Sequence, residues 1–175
     1  MRPNPDGDVR PVPTDRDPRV ASGAPPLPPD PRRDADERTA SSQFLDHQRA
    51  VLVREAAGLT SELLAATTSA SSLTLGQLLR HLTFVEHDGF EVVFAGRDPA
   101  EPWASADWEA DRDWEMTSAS GMTFDELRTD LDAAIDASRA VVAEAPSLDA
   151  TSSGRRHEGG RHRARRRRGR AVQLA

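Results

Sequence analysis

Residues 74–96, TLGQLLRHLTFVEHDGFEVVFAG, constrain the fold more than any other stretch of this chain. Leu75, Leu78, Leu79, Leu82, Val85, Phe90, Val93 and Phe94 recur at three- and four-residue spacing, which predicts one long helix with a buried stripe. Thr74 offers a hydroxyl to cap its start, and Gly96 suits the left-handed position that ends it. A helix of about 21 residues spans roughly 32 Å. His81 falls in its middle, between Leu78 and Val85 on the apolar stripe. A buried imidazole there needs a partner, because leaving it unpaired costs about 1–3 kcal/mol.

Two further helical patterns flank it. Ser41 or Ser42 is placed to cap a helix whose apolar face reads Phe44, Leu45, Gln48, Val51 and Leu52, with Gly58 as its stop. Asp46, His47, Arg49, Arg54 and Glu55 fall on the polar face, where His47 reads as a solvated residue. TSELLAA, residues 60–66, predicts a short turn capped by Thr60. Near the end, Thr123 and Glu126 form a capping box, and Phe124, Leu127, Leu131, Ala134, Ile135, Ser138, Val141 and Val142 form a stripe that stops before Pro146. Between the second and third long helices lies an acidic loop, 97–122. It holds Trp103, Trp108 and Trp114, at spacings that match neither helix nor strand. The loop is expected to be pinned over the bundle by these rings, ahead of a direct ligand-stacking role. Three long helices without a strand predict an all-α bundle.

The ends differ in composition from the middle. Residues 1–40 hold ten of the thirteen prolines, including PPLPP at 25–29, and read as a disordered leader. Residues 41–150 form the expected helical domain. From 154 to 170 there are nine arginines and one acid, leaving a net charge of -14 on the remainder, and residues 151–175 read as a disordered Arg-rich tail. The tail composition fits a GC-rich gene read out of frame, or a truncation. Cysteine is absent, which excludes disulfides, thiol catalysis by the chain and cysteine-based metal sites. No apolar run reaches the roughly 20 residues of a membrane span, no signal peptide is visible, and a cytoplasmic location is the expectation. Three amphipathic helices leave a groove that a fourth would close. A homodimer through that groove is one expectation; nucleic acid bound by the arginines would be held non-specifically and is not expected as the main partner.

Several segments in fixed order carry a resemblance: FLDHQRAVLVREAAGLTSELL at 44–64, SLTLGQLLRHLTFVEHDGF at 72–90, PW at 102–103 with DRDWE at 111–115, then TFDELR and SRAVV at 123–128 and 138–142. Together they resemble the DinB/YfiT-like superfamily, in its mini-circle-protein branch, over about residues 42–150. The resemblance implies a four-helix bundle and a divalent metal, often Zn or Ni, held by three histidines. One comes from a context like LLRHL, which maps onto His81; two come from an HxxxH on the fourth helix. It also implies a low-molecular-weight thiol, such as mycothiol or bacillithiol, as co-substrate of a transferase or isomerase. Three imidazoles would leave a metal position open for water or thiolate.

This chain departs from that pattern at its C-terminus. No HxxxH follows Ser138; His157 and His162 are five apart with Gly159 and Gly160 between them. The expected site is thus metal at His81 alone, with Glu86 as a candidate outer partner or surface ion pair, His87 flanking it and Asp88 near its face. The expected protein is a three-helix relative lacking the fourth helix, inactive as written and holding metal weakly or not at all. The alternative is a non-enzymatic bundle that binds a small ligand or a protein.

Overall fold

The structure is a computed structural model and describes residues 25–67 and 71–152. The leader and tail expected from the sequence lie mostly outside them, at 1–24 and 153–175. Five helices follow in order: α1 Glu37–Ala56, α2 Ser61–Leu64, α3 Leu75–Glu86, α4 Trp114–Thr117 and α5 Phe124–Glu144. A π-helical segment, His87–Phe94, continues α3 without a break. No strand occurs among the described residues, and the all-α expectation with three long helices holds.

The caps follow the sequence closely for α3 and α5. The Thr74 side chain accepts from the Gln77 backbone N–H while Gln77 returns a bond to the Thr74 N–H. Thr123 and Glu126 do the same for α5. Helix α1 starts earlier than the serines suggested. Asp36 caps it through the Thr39 N–H, adding a turn ahead of Ser41. Gly58 and Gly96 have φ of 75° and 72°, the left-handed backbone that favours glycine, and each follows the end of its helix.

Helix α3 packs against all the others. The apolar core joins Val53 and Ala56 of α1, Leu64 of α2, Leu79 of α3, Ala119, and Leu127, Leu131 and Ile135 of α5. Leu64 approaches the start of α3 so closely that a Cβ at Gly76 would lie 3.3 Å from the Leu64 carbonyl oxygen. The stripe expected on α5 is the one buried.

On α1 and α3 the buried faces are rotated from those expected. Phe44, assigned to the core, is 59% exposed, and Gln48 is exposed. Arg49, assigned to the polar face, is buried. On α3 the buried residues are Gly76, Leu79, Arg80, Thr83 and Glu86, followed by His87 and Val92, while Val85 is 45% exposed. The reason is pairing. Each polar group on this face meets a partner, so its burial is offset. Arg49 clasps Glu86 with Nε and Nη2, at 2.7 and 2.5 Å from the two carboxylate oxygens. Thr83 Oγ1 donates to the Leu79 carbonyl. Ser138 of α5 donates to the Ala134 carbonyl and lies 3.3 Å from the Glu86 carbonyl. Glu86 is therefore half of a buried bidentate pair, not of a surface one.

Burial opposes the Arg49 charge, but the bonds and charge of Glu86, with Asp46, outweigh it and hold the guanidinium above its ordinary pKa. Arg49→Ala should cost about 3–5 kcal/mol in urea denaturation, because Glu86 is left charged and buried. The double variant Arg49→Met, Glu86→Leu should recover most of that loss. Hydrogen bonds from Thr39 and Thr123 hold the Asp36 and Glu126 carboxyls below their usual range. A lowered carboxyl pKa adds stability above the unfolded value, and that stability is lost as pH falls through the folded one. The pH dependence of stability below about pH 5 should be shallower in Thr123→Val than in the parent chain.

Candidate functional site

His81 sits on the second turn of α3, one residue after Arg80, so the two side chains point about 100° apart. Arg80 is buried and organises the loop that approaches His81. Its Cζ lies 4.5 Å from the centroid of the Trp103 ring. Its Nε donates to Ser118 Oγ at 3.2 Å and its Nη1 to Asp130 Oδ2 at 2.6 Å. One side chain thereby ties the loop to α3 and α5.

The tryptophans complete the attachment. Phe84 meets Trp103 and Trp108 at centroid distances of 5.2 and 5.3 Å, and Trp114 stands edge-on to both tryptophans. Trp103 is 5% exposed. The three rings thus pin the loop over α3. The loop also forms helix α4, which begins at Trp114 itself.

A second anchor stands at the start of the loop. His87 is buried; its Nε2 accepts from the Ala100 N–H at 3.1 Å, and its Nδ1 lies 3.0 Å from Glu91 Oε1. Because Nε2 accepts, the ring proton is on Nδ1 and donates to Glu91. Glu91 also takes Arg97, which reaches Glu144 of α5. The sequence placed His87 beside the site without a task; its long-range partner is a backbone N–H that no pattern marks.

Glu115 arrives at His81 by way of this loop. His81 Nδ1 lies 3.5 Å from Glu115 Oε1, longer than a hydrogen bond and within ion-pair range. The Glu115 side chain is 11% exposed and that of His81 40%. His81 Nδ1 and Glu115 Oε2 are both shut off from solvent with no hydrogen-bond partner among the described residues. The shielding lies at Nδ1, while the side chain as a whole keeps 40% of its surface exposed. So His81 is not fully buried on an apolar stripe; its neighbour is a carboxylate 34 positions downstream. His47, read as a solvated residue, is half-buried with a shielded Nδ1 that lacks a hydrogen-bond partner among the described residues.

A matching span in the sequence now decides the family. The chain matches the mycothiol-S-transferase family over residues 41–173. It belongs to that family. The mycothiol-S-transferase family lies within the DinB/YfiT-like superfamily, in agreement with the resemblance read from the ordered motifs. The matched span takes in the described bundle from the second turn of α1 onward and runs on through the arginine-rich segment. No curated protein and no solved structure matches the chain. No helix among the described residues is long and apolar enough to cross a membrane.

The superfamily implies a divalent metal held by three side-chain donors. Among the described residues no group of three His, Cys, Asp or Glu side chains is placed to hold a metal ion. His81 and Glu115 bring two donors to one place, and His157 and His162 lie outside the described residues. The described donors do not make up the three-ligand centre that an open catalytic metal site uses.

Replacing His87 tests the loop attachment. His87→Leu leaves the Ala100 N–H and Glu91 without this partner, so the tryptophan emission should shift to the red and its quenching by acrylamide should rise. His87→Gln keeps a side-chain acceptor and should show the smaller change. All three tryptophans of the chain lie on this loop, so the signal reports on it directly.

Proposed function

We propose that this chain is a thiol-dependent transferase of the mycothiol class, with the accessible edge of His81 as the place where the reacting centre forms. The family match over residues 41–173 carries the reading. The arrangement around His81 supports it: one imidazole with its Nδ1 shielded and its side chain 40% exposed, and a carboxylate brought beside it by an aromatic loop. Partly exposed, firmly positioned imidazoles of this kind suit ligand binding and proton handling. In relatives with a complete donor set a divalent metal would activate the thiol. Metal dependence in this chain requires at least one donor beyond His81 and Glu115.

A second reading is favoured by the incomplete donor set among the described residues. In that reading the bundle has lost the reaction and binds a small ligand or a protein. The exposed Phe44 and Val85 side chains would then belong to its binding surface.

The two readings separate in one experiment on the full chain. Metal-free protein is titrated with Zn2+ and with Ni2+ by calorimetry, then mixed with mycothiol and a thiol-reactive electrophile such as a chloronitrobenzene. The transferase reading expects metal binding and thiol consumption that both fall at least about tenfold in His81→Ala, the size of effect typical for losing a group that holds or orients the reacting centre. Thiol consumption no faster than in buffer, with the same metal titration for parent and variant, would overturn it and leave the binding protein.

A further inference from the structure

The loop that carries Glu115 is held by Arg80, Phe84 and His87 on the central helical rod, and by Asp130 on α5. These attachments place one carboxylate beside one imidazole. The consequence concerns which ring nitrogen of His81 carries the proton. A neutral imidazole has one N–H and one lone pair, and the partner of one nitrogen decides which is which.

At His81 the inner nitrogen, Nδ1, is shielded and faces Glu115 Oε1 at 3.5 Å. Were the proton on Nε2, the shielded Nδ1 lone pair would lie 3.5 Å from a carboxylate oxygen. Two acceptors would then lie against each other, and Glu115 would have no donor from His81. With the proton on Nδ1, the same contact sets an N–H beside a carboxylate oxygen, and the shielded nitrogen gains an acceptor neighbour in Glu115 Oε1. The second arrangement leaves the free lone pair on Nε2.

We propose that Glu115 is the positioning residue of His81: it holds the ring proton on Nδ1 and so presents Nε2 as an unprotonated donor atom to whatever occupies the site. This deepens the reading of His81 as the working residue and rests on it for its relevance to function. The tautomer itself can be measured without metal, thiol or turnover. Glu115 does not touch the reacting atoms; it acts through the imidazole. The aromatic loop thereby gains a second task besides covering α3, since it delivers a carboxylate to the side of Nδ1.

The test is a long-range proton–nitrogen correlation spectrum of the 15N-labelled full chain at about pH 8, above the ordinary histidine pKa of about 6.5. The His81 ring signals are assigned by their loss in His81→Asn. The expected pattern in the parent chain is a protonated-type Nδ1 and an unprotonated-type Nε2. Glu115→Gln, whose amide oxygen can still accept, should keep that pattern. Glu115→Ala should move the His81 nitrogens toward the opposite assignment, while Asp113→Ala on the same loop should leave them unchanged. Tryptophan emission reports whether each variant keeps its loop, and the parent spectrum alone decides if Glu115→Ala does not fold. A parent chain with the proton on Nε2 overturns the proposal, as does a folded Glu115→Ala with an unchanged His81 pattern. A correct tautomer in a chain that consumes no thiol would overturn the transferase reading and leave the role of Glu115 intact.

Discussion

Glu86 lies in the middle of the bundle with almost no access to water, and the bidentate grip of Arg49 is what lets it stay there. Taking both charges out of water is costly, and their attraction offsets that cost only when the geometry is good and the remaining lone pairs are used. Here the geometry is fork to fork, and Asp46 takes a third guanidinium nitrogen. The pair joins α1 to the central helix at one angle and register. Apolar side chains alone would tolerate several, because their contacts are not directional.

The same device recurs along one face of the central rod. Arg80 reaches Ser118, Asp130 and the Trp103 ring, and His87 reaches Ala100 and Glu91. Each of these groups spends its hydrogen-bonding capacity on a different segment. Together they fix α1, the tryptophan loop and α5 against a single helix. The π-helical segment contributes to this arrangement. It widens the turn after Glu86, and His87 and Val92 become its buried residues.

The candidate site is a by-product of that scaffold. His81 lies beside the paired face, not within it, so its ring is partly open. Glu115 gets there because Trp114 is built into the aromatic cluster and the next residue of α4 must follow. Rigid support from groups that do not react is what a site requires to hold its geometry. In the function proposed above, the chemistry would draw on that rigidity at His81.

Local patterns determined much of this protein. Thr74, Thr123 and Glu126 cap where their hydroxyl and carboxyl groups predict, because a cap is a contact within three residues. Gly58 and Gly96 mark helix ends for the same local reason, and the α5 stripe is buried as its spacing requires. The ordered motifs also identified the superfamily. The tertiary structure decided which faces of α1 and α3 turn inward. Arg49, Arg80, Glu86 and His87 read as polar along the chain, and only partners 13 to 50 positions away make their burial favourable. It likewise decided the neighbour of His81. Periodicity assigns a residue to a face of its own helix, but it cannot show that a carboxylate from a loop with no regular spacing will be carried there by three indole rings.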